Sequence, residues 1–334
     1  MAVEEVQAQP GPQTTFVFKG RLLRDRETAL DTLLSRFHPY GYTPLIRRQR
    51  GQDVVAAVEG IVAPGRPRLW INVVLLLATI FTTTLAGAML VGANPLRNPL
   101  SLAQGLPFAF TLLLILGVHE LGHYFMGRWH GVQVTLPYFI PIPLGLGTFG
   151  AFIQIRSPLR NRRTLFDIGF AGPLAGLVVA LPLFVLGLLL SPVVPGWAAN
   201  PLGKSLLIEV LVELLRPHAA GYAVSLHPVA VAAYVGILIT GFNLLPAGQL
   251  DGGHVAYAAF GPAARALSLA TLAALLLLGA FVWRGWLIWA LLVLLMGMRY
   301  ASPLDDVTPL DPARKLIGLG AVLLFALTFV PQPF

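Results

Sequence analysis

The chain has 334 residues, of which 56% are hydrophobic and 11% charged, with a net charge of +8. A soluble domain carries about 25% charged residues, so a water-soluble globule, a disordered chain and a collagen-like repeat are excluded, and a polytopic membrane protein remains. There is no cysteine. Disulfides and thiolate metal sites are therefore ruled out, and any metal must be held by His, Asp or Glu. The positive charge reads as loop orientation, not as a nucleic-acid partner.

The first 68 residues hold 10 of the 23 basic residues and no long apolar run. Their first dozen, rich in Gln and Pro, are expected to be disordered. Residues 16–23 read as a strand. Residues 27–37 read as a helix, from the spacing of Leu30, Leu33, Leu34 and Phe37. Residues 44–48 and 53–62 read as two more strands. The expectation is a small α+β domain over 1–68, in the cytoplasm.

Charge-free runs begin at Leu69. A span needs roughly 20 apolar residues, which predicts helices near 70–92, 107–128, 165–190, 228–247, 266–283, 285–299 and 315–331. The fold expected for 69–334 is thus a bundle of six to seven transmembrane helices, the sixth being short. With the N-terminus inside, Lys and Arg divide 19 to 4 in favour of the inner segments, as orientation by basic loops requires.

The second predicted span carries His119-Glu120-Leu121-Gly122-His123. Two His four residues apart lie on one side of a helix, and neutral imidazole is a good zinc ligand. Three ionisable groups at membrane depth are costly, which makes them a functional cluster by default. The plain alternative is a buried His pair hydrogen-bonded to Glu120. A catalytic zinc has three protein ligands and one open position, so a third ligand is required. Asp167, Asp251 and His254 are the candidates. Asp167 precedes an apolar helix, where an N-cap role suffices.

Residues 132–158 are not helical in pattern. They contain Pro137, Pro141, Pro143, Gly145, Gly147 and Gly150 among many apolar residues. Irregular backbone at membrane depth is tolerated only when buried in protein or lining a cavity. The expectation is a re-entrant β-hairpin whose edge pairs with unwound substrate. Phe149, Gly150, Phe152 and Ile153 are its substrate-binding residues, and Gly150 permits close approach of another backbone.

Taken together, these motifs resemble the site-2 protease family of intramembrane zinc metalloproteases. His119 to His123 matches its H-E-x-x-H, and Gly172 to Gly176 its small-residue motif. Asn243 to Gly252 matches its N-x-x-P-x-x-x-L-D-G element. The resemblance covers about 105–256, and the tail from Asp305-Asp306 to Pro309 fits less specifically. It implies His119, His123 and Asp251 as zinc ligands and Glu120 as general base. It also implies that Asn243 polarises the scissile carbonyl. The substrate would be a single-span membrane protein in the lipid bilayer, with the enzyme in a bacterial cell membrane. Many members carry a PDZ domain between the third and fourth core spans. Here 191–227 is too short for one, and 204–215 reads as an amphipathic surface helix. The small face of Gly172 and Gly176 is expected to press its span against the motif helix. The competing reading is a zinc transporter or a non-proteolytic membrane zinc protein. A transporter would string polar residues along several helices, whereas here they gather at one depth.

Overall fold

The computed structural model describes residues 1–9, 14–61, 68–196, 203, 205–296 and 302–332. Arg66, Lys204 and 297–299 of the expected sixth span lie outside the described residues. The charged start of the chain forms β1 (Ala2–Gln9), β2 (Thr15–Arg21), α1 (Arg26–Phe37), β3 (Tyr42–Gln49) and β4 (Gln52–Glu59). The strands make one antiparallel sheet in the order β1-β2-β4-β3. Leu30 of α1 packs on Ile46 and Val55 in a small core. The first residues are a strand, contrary to the expected disorder. Pairing to an edge needs only main-chain groups, which leave no apolar pattern to read. Gly20 makes the approach possible, since a Cβ there would lie 2.0 Å from the Ala2 carbonyl oxygen.

The rest is mostly helical. In chain order it comprises α2 (Leu69–Leu90), α3 (Leu106–Trp129), β5 (Tyr138–Pro141), β6 (Thr148–Phe152) and α4 (Arg162–Leu189). There follow β7 (Val193–Pro195), α5 (Leu206–Leu215), β8 (Tyr222–Val224), α6 (Pro228–Asn243) and α7 (Asp251–Phe260). The last three are α8 (Ala264–Phe281), α9 (Gly285–Met296) and α10 (Pro312–Thr328). Among the described residues, four helical segments are long and apolar enough to cross a membrane: Leu69–Leu90, Pro99–Trp129, Arg162–Leu189 and Asp251–Phe281. The last is bent. Gly261 takes φ 59° between α7 and α8, and α8 returns past the loop that precedes α7.

Small residues set the helix crossings, as is usual where lipid offers no hydrophobic drive between helices. A Cβ on Gly122 of α3 would lie 2.6 Å from the Ala171 carbonyl oxygen of α4. One on Gly187 of α4 would lie 2.3 Å from the Ala230 nitrogen of α6. Hydroxyls of α2 are satisfied within the helix: Thr79, Thr83 and Thr84 each donate to the carbonyl four residues back, at 2.6–2.7 Å.

β5 and β6 form an antiparallel hairpin inside 132–158. Its base is held by Asn72, which donates to the Leu136 and Pro137 carbonyls at 3.0 and 2.9 Å. Near its tip, Thr82 donates to the Gly147 carbonyl at 2.6 Å. Gly147 adopts φ 81° and lies so close to α2 that a Cβ would be 2.5 Å from the Thr82 carbonyl oxygen. Within the chain itself, the close backbone approach of the hairpin is at Gly147. Nothing lies within 4 Å of a Cβ on Gly150, whose glycine serves a φ of 104°.

The connection 191–227 holds the short β7–β8 pair and α5, capped by the Ser205 hydroxyl at 3.3 Å from the Ile208 N–H. Ile208 is buried in the main core while Glu209 and Glu213 are exposed, the two-faced pattern read from the sequence.

Residues 303–306 join the two parts of the chain. The Ile46 N–H donates to the Leu304 carbonyl at 2.7 Å and the Asp306 N–H to the Ile46 carbonyl at 3.2 Å. On the other side, the Leu304 N–H reaches the Leu159 carbonyl at 2.8 Å and the Asp305 N–H the Arg160 carbonyl at 2.9 Å. This strap fills the outer edge of β3 and ties it to the segment that leads into α4.

Candidate metal centre

The centre lies where α3, α4 and the α6–α7 loop meet. His119, Glu120 and His123 are all buried on α3, at 3%, 6% and 6% exposure. Pro228 starts α6, which ends at Asn243; the chain then turns through Pro246 and Gly248 and re-enters a helix at Asp251. A Cβ on Gly252 would lie 2.0 Å from the Leu244 carbonyl oxygen, and one on Gly253 2.3 Å from that of Gly248. The two glycines let the loop fold onto the first turn of α7 and bring Asp251 to α3.

Three donor atoms then form a triangle. His119 Nε2 lies 3.2 Å from His123 Nε2 and 3.2 Å from Asp251 Oδ2, and His123 Nε2 lies 3.3 Å from Asp251 Oδ2. Ligands at about 2.0–2.1 Å from a tetrahedral zinc stand about 3.3–3.4 Å apart, so the triangle has the size zinc requires. The His119, Glu120 and His123 donor atoms also lie within 4.8 Å of one another. Glu120 thus stands in the same cluster as the triangle of His119, His123 and Asp251.

The donor chemistry agrees. The His123 Nδ1–H donates to the Ile168 carbonyl at 2.7 Å, which turns the Nε2 lone pair toward the triangle. The Asn243 amide nitrogen lies 3.4 Å from His119 Nε2, so its side chain reaches the same point. Ile153, just past the end of β6, brings its backbone N–H near the Glu120 carboxylate. The hairpin therefore touches the centre at Ile153.

α4 is shaped to its neighbour's imidazoles. A Cβ on Gly172 would lie 2.1 Å from His123 Nε2, and one on Gly176 3.1 Å from His119 Nδ1. These glycines do press α4 against α3, and they also leave the space the ligand rings fill. Behind the loop, the Ser268 hydroxyl of α8, fully buried, accepts from the Gly248 N–H at 3.2 Å and donates to the Pro246 carbonyl at 3.3 Å. Nothing in the sequence marks Ser268, because one hydroxyl in an apolar helix is common.

Two candidates stand elsewhere. Asp167 is not an N-cap; Asn161 holds that position, accepting from the Thr164 N–H at 2.9 Å. Asp167 lies inside α4 and pairs with His130 at 2.9 Å and with Arg314 at 2.6 and 2.8 Å. His254 lies outside the triangle, one turn along α7, where its Cβ would be 3.0 Å from one on Gly169.

A family model described as Peptidase family M50 matches residues 107–283. The chain belongs to that family, the site-2 proteases. Similar curated proteins are zinc metalloproteases by name. "Probable zinc metalloprotease EGY1, chloroplastic" of Arabidopsis thaliana is 40% identical over 240 residues, 68% of this chain and 43% of that protein. Its Oryza sativa subsp. japonica namesake is 36% identical over 244 residues, 68% and 41% of the two chains. EGY2 of Arabidopsis thaliana is 35% identical over 243 residues, 70% and 43%. The chain thus spans less than half the length of these relatives. No solved structure matches it. Zinc is the metal of this M50 protein, and the donor triangle fits it. The expectation of a bacterial cell membrane is overturned, because the relatives are chloroplastic proteins of plants.

Proposed function

We propose that this M50 protein is an intramembrane endopeptidase that cuts a peptide bond within or near the transmembrane segment of a single-span membrane protein. The observation that carries the reading is the triangle of His119, His123 and Asp251 with Glu120 beside it. These three residues would hold zinc. When bound, zinc supplies Lewis acidity, bringing the pKa of water to about 7 and polarising a carbonyl.

The side chains divide the remaining work. Glu120 takes the proton of the attacking water and returns it to the leaving amine nitrogen. Asn243 donates its amide N–H to the carbonyl oxygen as charge grows there, without adding a charge in an apolar setting. His123 keeps its orientation through the Ile168 carbonyl.

Presentation falls to the hairpin. Asn72 and Thr82, its two anchors, are 10 residues apart on α2, or about 15 Å. Anchoring this far along a spanning helix supports a re-entrant hairpin. The Gln154 N–H and carbonyl both point to Thr135, so alternate residues, Ile153 and Ile155, turn their backbone groups to the open edge. Phe149 and Phe152 flank that edge with exposed rings, and Gly150 shapes the strand. Substrate would add there as a strand. Seven traverses, by α2, α3, α4, α6 with α7, α8, α9 and α10, give the bundle. The relatives direct attention to a chloroplast membrane as its compartment.

The test is Glu120→Gln in the purified full-length protein. It should retain one zinc per chain and lose cleavage of a single-span substrate. Normal cleavage would sink the general-base role.

A further inference from the structure

We propose that Asp306 latches the N-terminal domain to the helix carrying Asp251, so that residues 1–61 help to position the metal centre. The inference rests on Asp251 being a zinc ligand. Its starting point is a buried carboxylate with partners in three parts of the chain. Asp306 is 8% exposed. Its carboxylate accepts from the Tyr257 hydroxyl of α7 at 2.8 Å and from Arg162 Nε at the start of α4 at 2.9 Å. Its backbone N–H is held by Ile46 of β3 at 3.2 Å.

The N-terminal domain grips the same strap a second way. Arg47 Nη1 donates to the Pro303 and Leu304 carbonyls at 2.9 and 3.0 Å, and Nη2 to the Ser302 hydroxyl at 3.3 Å. The guanidinium is within electrostatic reach of Asp306 as well.

The grip matters because of what α7 lacks. It is 10 residues long, begins at Asp251, and its N-cap Leu250 makes no side-chain cap hydrogen bond. A short helix of this kind is placed by its neighbours, not by its own stability. Tyr257 is buried on it, two turns from Asp251. Loss of one donor from a buried carboxylate is costly, so the latch resists movement of α7. Arg162 extends the same hold to α4, whose Gly172 faces His123.

The experiment times release of zinc from the full-length, zinc-loaded protein to a chelator. Tyr257→Phe and Arg47→Ala should each speed release about fivefold, the equivalent of one hydrogen bond. The double variant should release no faster than the faster single one, since both cut the same connection. Arg47→Lys, which keeps a donor and the charge, should recover part of the difference. Release within twofold of the parent in Arg47→Ala, or multiplicative effects in the double variant, would overturn the latch. Should Arg47→Ala not fold, Tyr257→Phe decides alone through the visible spectrum of the cobalt-loaded protein. Shifted bands uphold the latch, and bands and release rate like the parent's overturn it. His119→Ala serves as the zinc-free reference. A parent with no more zinc than that reference refutes the metal centre; a zinc-bearing parent with unaltered variants refutes only the latch.

Discussion

Two strands in this protein turn an outer edge toward other parts of the chain, with opposite outcomes. The outer edge of β3 is met at Ile46 by residues 303–306 of the same chain, while among the described residues β6 pairs with β5 alone. A filled edge fixes one part of the molecule to another. An edge left open at an active centre is a template for a strand that the protein does not itself contain. The contrast separates the two halves of the problem: one sheet holds structure in place, and the other is the edge proposed above to take substrate.

The largest expected effect bears on what the open edge is open to. Gly172→Ala puts a methyl group 2.1 Å from His123 Nε2, so α4 must withdraw or the ring must turn. Zinc affinity should fall about 10–100-fold, the range for loss of support around a ligand, and cleavage should fall with it. Metal analysis of the purified variant checks this; an unchanged zinc content would mean that α4 does not shape the centre.

The comparison itself is sharpened by a proline just past β6. Ile153→Pro is ambiguous, because Ile153 also lies beside Glu120. Ile155→Pro, at the bridge to Val134, removes an outward N–H. Cleavage of a transmembrane substrate should drop about fivefold to tenfold, the value of roughly one hydrogen bond, with zinc content unaltered. Ile155→Val should be silent. Equal cleavage by the proline variant would break the comparison, since the edge of β6 would then be as structural as that of β3.

A smaller effect is expected behind the ligand loop. Ser268→Ala removes the hydroxyl that joins Gly248 to Pro246, worth about 1 kcal/mol. It should speed zinc release about fivefold at that value. Ser268→Thr should be close to the parent. No change in Ser268→Ala would mean that the loop holds Asp251 unaided.

The gentlest test alters no interaction. The chain has no cysteine, so single Cys residues report sidedness. Ser205 is a buried helix cap and a poor probe. Cys at exposed Glu213 and at exposed Ser35 should label from opposite sides of a sealed vesicle. Labelling from one side would remove the seven-traverse arrangement and with it the re-entrant hairpin.

The centre was legible because apolar surroundings make each polar residue informative. His119, Glu120, His123, Asn243 and Asp251 stand out against their neighbours, and the structure brings them together. The helices at 69–90, 106–129 and 162–189 follow from long apolar runs with few ionisable intrusions. What escaped was built from main-chain groups. β1 and the strap at 303–306 pair through backbone N–H and C=O, which every residue has. Asp167 was misplaced because its partner Arg314 lies 147 residues away, and no local pattern reports so distant an ion pair. Gly147 and Gly150 look alike in sequence, and only α2 tells them apart.

The three side chains of the donor triangle do not share one mounting. Both imidazoles ride on a 24-residue helix packed along its length, as fixed as a wall. The carboxylate rides on a 10-residue rod, with one positive-φ glycine three residues before it, Gly248 at φ 51°, and another directly after it, Gly261 at φ 59°. Other residues adopt such angles only with strain, so glycine is what lets the chain turn at both points. The triangle is therefore assembled from two donors on one long helix and a third on a short helix set in place by its neighbours.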